Sequence, residues 1–437
     1  MEVVNKLAQL NSQKLDKYIF SNCSIYCPST KKTIKGNILV IDGIIKELNF
    51  RGDLSDFNTL DCKDKIITPS FLDLRCHFSE PGFEDTESLN SGARAAIAGG
   101  FSQICMLPNT YPVLDSLDNI ESLFYRSKDL IIDILPIGSI TKGLKGVELS
   151  EIGLMAKSGI VAISDAHKMV NNSQILRHAI EYSAMFGIPV INHPENMDLK
   201  NSGIAHESLF STQKGLPAIP SIAETIAIYR DLEIANYVNG KIHIPHVSCS
   251  ESVKLIAKYK DMGLDVTAEV TPHHLGLTEL KLGEFDARYK ISPPLRSEKD
   301  RIALIDALKS GVIDCISSDH FPHKIEDKES DLINSKSGVI GLESAFSYSY
   351  KILKENGFTI EQVIDLFAVN SRKIINVPLN IIEEGGQADF IVIDPNIEWT
   401  FDTSNIFSKS KNSALIGDKM SGKVEAVAFK NKVHIIE

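Results

Sequence analysis

The hydrophobic pattern changes twice along the chain and separates a central part from two terminal parts. Residues 68–374 alternate short apolar segments with amphipathic segments of helical period. Eight apolar segments with helices between them, over roughly 300 residues, predict an α/β fold of the (β/α)8 TIM-like barrel type. The predicted strands are SFLDLRCHF, FSQICML, IIDILPIG, GIVAISD, IPVINH, KIHIPHVS, LDVTAEVTP and VIDCISSD.

The two terminal parts, residues 1–67 and 375–437, have short β-like segments instead. YIFSNCSIYC and GNILVIDGIIKELNF lie in the first, and ADFIVIDP and KVEAVAFKNKVHII lie in the second. Gly and Pro separate these β-branched runs, as expected for hairpins. We therefore expect both parts to form one small β-sandwich-like domain beside the barrel. An open doubly wound sheet is the alternative for the centre, but no Gly-rich phosphate loop follows any predicted strand.

Composition restricts the partners and the compartment. Lys and Arg number 46 against 57 Asp and Glu, a formal charge of −11 without a basic run, which argues against nucleic acid or an anionic membrane as a partner. The seven cysteines are scattered and form no C-x-x-C pair, as in reduced cytoplasmic proteins. No segment approaches the roughly 18 apolar residues of a membrane span. We expect a cytoplasmic protein that binds a small molecule and forms a homodimer or a larger oligomer.

Titratable side chains recur at the carboxyl ends of the predicted strands, where a barrel places its active site. A single histidine at such a position is more often a structural residue than a metal ligand. Five titratable residues at one rim favour a site for Zn²⁺ or a similar divalent ion, which could activate water and polarise a carbonyl. They are His77, Asp165, His193, His246 and Asp319.

The motifs around these residues resemble the dihydroorotase family, in order and in spacing, over essentially the whole chain. The combination of TPHH, PPLR and SDHxPH is the most specific part of the resemblance. Hydantoinases and dihydropyrimidinases usually carry a carboxylated lysine on the fourth strand, whereas this chain has Asp165 there, as in the dihydroorotases that use an aspartate. The matching segments are SFLDLRCHFSEPG, MLPNTYPV, VAISDA, PVINHPEN, HVSCSES, AEVTPHHLGLT, KISPPLRSEKDR, DCISSDHFPH, GVIGLESA and SKSKNSALIG.

The resemblance implies roles for the metal ligands. In the family, the H-x-H of strand one and an aspartate of strand eight hold the first (α) metal ion. His77 matches the second of those histidines, and Asp319 matches the aspartate, which is also the general base and acid. Asp165 matches the carboxylate that bridges two ions, and His193 and His246 match the histidines of the second (β) ion.

The resemblance also implies a substrate site. The family holds the substrate carboxylate with an arginine two residues after H-x-H, the asparagine of PNT and the last histidine of SDHxPH. Asn109 and His323 match the asparagine and the histidine. Ser79 stands at the arginine position, and Ser292 stands where the family has an asparagine that contacts the pyrimidine ring. The loop sequence NSKSG also departs from the family pattern.

Arg75 is the departure with the clearest physical consequence, because it replaces the first metal histidine. Side chains alternate along a strand, so Arg75 shares a face with His77 and its guanidinium points toward the metal position. Arginine is permanently charged and has no lone pair to give. It would repel a metal ion and could bind Asp319 or Asp165 through paired hydrogen bonds. We therefore predict no metal or one Zn²⁺ ion at Asp165, His193 and His246, in preference to two ions.

Three functional hypotheses follow from the resemblance. The first is a cyclic amidohydrolase of pyrimidine biosynthesis, interconverting N-carbamoyl-L-aspartate and L-dihydroorotate, with activity impaired by Arg75, Ser79 and Ser292. The second is a non-catalytic homologue that is a structural partner of aspartate transcarbamoylase, which Arg75 and Ser79 favour. The third is an amidohydrolase with an altered substrate, which would explain Ser79 and Ser292 together.

Overall fold

The computed structural model describes residues 9–437, so the first eight residues of the predicted N-terminal part lie outside the described residues. Within that range the strands are, in chain order, β1 (Leu10–Lys14), β2 (Lys17–Cys27), β3 (Lys32–Ile41), β4 (Ile44–Glu47), β5 (Asn58–Asp61), β6 (Ile66–Pro69), β7 (Phe71–Cys76), β8 (Phe101–Met106), β9 (Asp133–Gly138), β10 (Ala162–Ile163), β11 (Val190–Ile191), β12 (Ala205–His206), β13 (Ala218–Ile219), β14 (Ile242–Ile244), β15 (Val266–Val270), β16 (Cys315–Ile316), β17 (Phe390–Thr400), β18 (Lys419–Phe429) and β19 (Lys432–Ile436).

The α-helices of the same range are α1 (Leu89–Ala98), α2 (Leu117–Ser127), α3 (Ile152–Ser158), α4 (Ser173–Ala184), α5 (Met197–Lys200), α6 (Leu209–Lys214), α7 (Ile222–Val238), α8 (Ser250–Asp261), α9 (Pro272–Gly276), α10 (Glu298–Ser310), α11 (Ile325–Lys328), α12 (Ala345–Glu355), α13 (Ile360–Ala368) and α14 (Asn370–Ile374). Short 3-10 helices lie at Lys142–Leu144, Glu279–Glu284, Ala287–Tyr289 and Thr403–Asn405. Within residues 9–437, no helix combines the length and apolarity that a bilayer crossing demands.

The central sheet has eight parallel strands in the order β7, β8, β9, β10, β11, β14, β15 and β16. Contacts between the end of β7 and the segment after β16 close it into a barrel: Cys76 pairs with His320 in parallel, and the His77 amide donates to the His320 carbonyl at 2.9 Å. All six residues of β7 are buried, because helices cover one face and the barrel interior fills the other. The predicted (β/α)8 barrel is confirmed.

One end of the barrel is packed by a cluster of phenylalanines. The Phe71 ring lies 5.7 Å from Phe101, 5.2 Å from Phe346 and 5.3 Å from Phe367, measured between ring centroids. All four side chains are buried. Each aromatic contact contributes about 0.5–1.5 kcal/mol beyond area burial. This packing fixes the start of β7 and so holds the strand that carries Arg75.

The terminal segments form one mixed sheet in the order β1, β19, β18, β17, β6, β2, β3 and β4, with β5 beside β2. Antiparallel pairing of β17 with β6 joins the C-terminal segment to the N-terminal one. Phe20 and Phe390 meet edge to face at 4.9 Å in their shared core. The two ends of the chain thus contribute to one unit, while the limits 1–67, 68–374 and 375–437 stay predictions.

Candidate functional site

The titratable residues singled out in the sequence lie just beyond the ends of the barrel strands. His77 follows β7, Asp165 follows β10, His193 follows β11, His246 follows β14 and Asp319 follows β16. All five side chains are buried, with at most 5% of their surface exposed. Parallel strands present their carboxyl ends at one rim, so residues far apart in sequence are neighbours here.

Arg75 occupies the barrel interior with 1% of its surface exposed. Its Nε donates to Asp319 Oδ1 at 2.8 Å, and its Nη2 donates to the Ala166 carbonyl at 3.2 Å. Nη2 also lies 3.4 Å from His167 Nδ1. The guanidinium therefore forms a buried ion pair with the aspartate that matches the family's general base.

His167 was not identified in the sequence, yet it lies beside His77. One ligand atom from each of His77, His167 and Asp319 falls within 4.8 Å of the others, so the three could hold a metal ion. The sequence did contain a signal for His167, because this histidine comes two residues after Asp165 in the loop following β10. It was overlooked because it belongs to none of the motifs that carry the resemblance.

Asn109 and Phe321 fix the His77 ring. His77 Nδ1 lies 2.8 Å from Asn109 Oδ1 and donates to it, which leaves Nε2 with a lone pair directed at His167 Nε2. The Phe321 ring stacks on His77 at 4.0 Å and on His167 at 4.4 Å between centroids. Burial, followed by the nearby Arg75 charge, holds the pKa of His77 well below its usual range. The ring is therefore a neutral acceptor at physiological pH.

His193 and His246 form a second group of imidazoles. His193 Nδ1 and His246 Nε2 are 3.2 Å apart, and His193 Nε2 donates to Glu195 Oε2 at 3.2 Å. His246 Nδ1 has no hydrogen-bond partner among the described residues. Burial lowers the pKa of both rings, and the Arg75 charge adds to this effect. Two neutral imidazoles with ring nitrogens 3.2 Å apart are a ligand type that suits Zn²⁺, and the proton shared between them must move to His246 Nδ1 before both nitrogens can bind an ion.

Asp165 points toward the loop that follows β9. Its Oδ1 accepts from the backbone amides of Ile140 and Thr141, both at 2.9 Å, and its Oδ2 accepts from the Thr141 hydroxyl. Burial raises the pKa of Asp165, and these hydrogen bonds oppose that rise. The carboxylate is thus held in place by three donors of one loop.

The contacts of Asp319 decide whether a metal ion fits between His77, His167 and Asp319. Burial raises its pKa to about 7, and the Arg75 guanidinium opposes that rise. Because Oδ1 accepts from Arg75, the His77, His167 and Asp319 group meets a positive charge where an ion would lie. That group does not fit a metal ion while Arg75 is present. His193 and His246 supply two ligand atoms 3.2 Å apart on the other side of the site.

Ser292 belongs to a polar network at the barrel rim. Its hydroxyl donates to Glu195 Oε2 at 2.7 Å and accepts from Lys200 Nζ at 2.6 Å, while Lys200 also pairs with Glu195. Burial alone would raise the pKa of Glu195, but His193 and the Lys200 ammonium hold it well below its usual range. Glu195 is therefore an ionised carboxylate that orients His193.

A cavity of about 200 Å³ opens beside His77 and contains the predicted substrate-binding residues. His323 donates from Nε2 to the Ser337 carbonyl at 2.8 Å, and burial lowers its pKa to about 4. Ser79 adds no charge to this cavity, whereas Lys336 adds an ammonium that pairs at 3.1 Å with Asp327, another lining residue. The lining residues include His77, Ser79, Asn109, Phe321, His323 and Lys336.

Two lysines hold the loop over the barrel mouth. Lys290 Nζ donates to the carbonyls of Leu332, Ile333 and Ser335 at 2.9, 2.7 and 2.6 Å. Lys328 Nζ donates to the carbonyls of Lys336 at 2.8 Å and Gly338 at 3.0 Å. The loop that carries Lys336 is therefore anchored through its backbone.

The TPHH and PPLR motifs have structural contacts. Thr271 caps α9, with its Oγ1 2.7 Å from His274 Nδ1, and His274 Nε2 donates to the Pro293 carbonyl at 3.1 Å. Arg296 donates from Nε to the Ser248 hydroxyl at 3.0 Å. These contacts join the loops after β14 and β15 to the segment that carries Ser292.

Comparisons with known proteins agree with this architecture. A family model described as Dihydro-orotase-like matches residues 64–252. The chain is 41% identical over 419 residues to a dihydroorotase of Caldicellulosiruptor saccharolyticus, covering 95% of this chain and 97% of that protein. It is 39% identical over 399 residues to a dihydroorotase of Acetivibrio thermocellus, covering 91% and 94%. An L-hydantoinase (dihydropyrimidinase) from Arthrobacter aurescens has a TM-score of 0.83 at 23% identity over 94% of each chain, which shows a shared fold.

Proposed function

The chain belongs to the dihydroorotase family, and we propose that it is a cyclic amidohydrolase scaffold whose interconversion of N-carbamoyl-L-aspartate and L-dihydroorotate is strongly weakened. The observation that carries this proposal is the buried ion pair between Arg75 and Asp319 at 2.8 Å. A general base must be within hydrogen-bond reach of the proton that it takes. Asp319 Oδ1 already accepts from the Arg75 guanidinium, so this oxygen is not available to take a proton from water or substrate.

The remaining imidazole pair supports one metal ion in preference to two. We propose His193 and His246 as its ligands, with Asp165 as the third if its carboxylate rotates away from Thr141. A divalent ion held there would supply Lewis acidity toward the amide carbonyl of the ring. Glu195 would hold His193 in the tautomer that offers Nδ1, because its carboxylate accepts the proton on Nε2.

The cavity beside His77 supports a small carboxylate as ligand. Asn109 and His323 line it, as the family resemblance implies for substrate contacts. Ser79 cannot form a paired contact with a carboxylate, but the Lys336 ammonium lines the same cavity. We propose that Lys336 supplies part of the missing positive charge when a ligand carboxylate replaces Asp327 as its partner, as a point charge without the geometric specificity of a guanidinium.

A second candidate function is that of a non-catalytic homologue that assembles with aspartate transcarbamoylase. The same Arg75 and Asp319 pair favours it, because a scaffold without turnover has no need of a free general base. Co-purification of the two proteins, with size-exclusion chromatography of the mixture, tests it. Elution of each protein at its own volume would exclude the assembly.

Turnover and metal content together test the first proposal. The purified chain should bind at most one Zn²⁺ ion by elemental analysis and hydrolyse dihydroorotate at least about 100-fold more slowly than a two-metal relative assayed in parallel, a difference of about 2.7 kcal/mol in the barrier. The dihydroorotase of Caldicellulosiruptor saccharolyticus is a suitable comparison once elemental analysis has measured two ions in it. Two bound ions with equal turnover would overturn the proposal.

A further inference from the structure

We infer that Arg75 and His167 together replace a metal ion, and that His77, His167 and Asp319 form a latent metal site that the guanidinium keeps closed. The inference rests on the proposed function in one respect: Arg75 stands where the family has the first metal histidine of strand one. It goes further by giving a role to His167, which no motif in the sequence marks. It is also measured by metal binding, independently of turnover.

Hydrogen-bond directions at the site support this replacement. Asn109 Oδ1 can only accept, so His77 carries its proton on Nδ1 and offers a lone pair at Nε2. His167 Nε2 faces that lone pair and must donate to it. His167 Nδ1 then accepts, and it lies 3.4 Å from the Arg75 Nη2 donor. Every imidazole nitrogen of the two rings is paired without an ion.

Charge balance at the site supports it as well. The Arg75 guanidinium is a buried positive charge, because only 1% of the surface of this residue is exposed. Asp319 provides the compensating negative charge at 2.8 Å. The Ala166 carbonyl accepts a further N–H at 3.2 Å. The cation thus contacts a carboxylate oxygen and an imidazole nitrogen, the ligand types that a zinc ion would use.

The fit of the guanidinium is nevertheless incomplete. Arg75 Nη1 is buried and has no hydrogen-bond partner among the described residues. An unpaired buried donor lowers stability, so Arg75 is not ideally satisfied in this position. Its removal would leave two imidazoles and a carboxylate within 4.8 Å of one another, with one negative charge. Two nitrogens and one oxygen are a donor set of the kind that catalytic zinc sites use.

Substitution of Arg75 tests the inference through metal stoichiometry. Arg75→Ala should bind one more ion per chain than the wild type, detected by Co²⁺ absorption and by elemental analysis after dialysis. Arg75→Ala combined with His167→Ala should lose that gain. Arg75→Lys keeps the cation and should gain nothing. Circular dichroism confirms that each variant is folded, and Arg75→Met serves if the smaller side chain leaves a disruptive cavity.

Labelled histidine provides a second test on the unaltered protein. In ¹⁵N spectra, addition of Zn²⁺ should shift the ring signals of His193 and His246 and leave those of His77 and His167 in place. Zinc-dependent shifts of His167 in the wild type, or a folded Arg75→Ala or Arg75→Met variant without an added ion, would overturn the inference. The second of these outcomes would leave the proposed function intact, whereas two ions and rapid turnover in the wild type would overturn both.

Discussion

The candidate site has two halves at one barrel rim, and they differ in how far the nitrogen lone pairs of their histidines are engaged in hydrogen bonds. We call them the guanidinium half (Arg75, His77, Asn109, His167 and Asp319) and the imidazole half (His193, Glu195 and His246). In the guanidinium half, His77 and His167 are joined to Arg75 and Asn109 by hydrogen bonds. In the imidazole half, His193 and His246 face each other and His246 Nδ1 has no partner among the described residues. One charged side chain can therefore close half of a metal site without altering the barrel.

The largest effect is expected from breaking the ion pair of the guanidinium half. Asp319→Ala leaves a buried guanidinium that cannot lose its proton, so the free energy of unfolding should fall by about 3–5 kcal/mol. The midpoint of urea unfolding measures this change. The double variant Arg75→Met with Asp319→Leu removes both charges and should recover most of the loss. A wild-type midpoint for Asp319→Ala would show that the pair carries no stability.

Conversion of the guanidinium half to the family pattern should have the next largest effect. Arg75→His combined with Ser79→Arg restores a metal ligand, frees Asp319 and adds a bidentate carboxylate contact. Dihydroorotate hydrolysis should rise at least about 100-fold, or about 2.7 kcal/mol in the barrier. Initial rates with added Zn²⁺ measure it, and Ser79→Arg alone is the control that should change little. An unchanged rate in the double variant would place the defect elsewhere, with the mouth loop as the next region to test.

The contrast between the halves also shows what sequence could predict. The barrel strands were predictable because buried parallel strands are continuous apolar runs, and the positions of His193 and His246 at their ends followed from the same pattern. The contact of His167 with His77 was not predictable, because only the folded barrel rim brings the two residues together. The Ser292 contacts with Glu195 and Lys200 likewise join residues more than 90 positions apart. Such pairings depend on loop conformation, which no local pattern specifies.

A smaller effect should separate the two residues that orient histidines in the two halves. Glu195 orients His193, and Asn109 orients His77. Glu195→Gln should weaken Zn²⁺ binding about 10-fold, because such supporting carboxylates set the tautomer and basicity of a ligand. Asn109→Ala should leave the affinity within about twofold, because His77 binds no ion. Competition with a chromogenic chelator measures both, and equal losses would show that the halves bind metal together.

Lys336 should contribute modestly to ligand binding in the cavity. Lys336→Ala should weaken N-carbamoyl-L-aspartate about 3- to 5-fold, because an exposed charge pair contributes at most about 1 kcal/mol. Isothermal titration calorimetry measures this without any need for turnover. Lys336→Arg keeps the charge and should retain affinity. Identical affinities for the wild type and Lys336→Ala would exclude Lys336 from the carboxylate site.

The smallest effect is expected from pH in the imidazole half. Two histidines of ordinary pKa, about 6.5, would lose about tenfold in Zn²⁺ affinity between pH 7 and pH 6, since protons must leave before the ion binds. The pKa values of His193 and His246 are lowered, so both rings are protonated less at pH 6 than ordinary histidines and the affinity should fall by clearly less than tenfold. Titrations in zinc-buffered solutions at both pH values measure this, and a tenfold drop would contradict it.

The cause of this weak pH dependence of Zn²⁺ affinity connects the two halves. After burial, the Arg75 charge is the next largest cause that lowers the pKa of His246, and it also acts on His193. Arg75→Met should therefore raise both pKa values and restore part of the pH dependence between pH 7 and pH 6, with Arg75→Lys as the charge-retaining control. Because a guanidinium repels protons and metal ions by the same field, Arg75 closes its own half to metal while it keeps the other half free of protons.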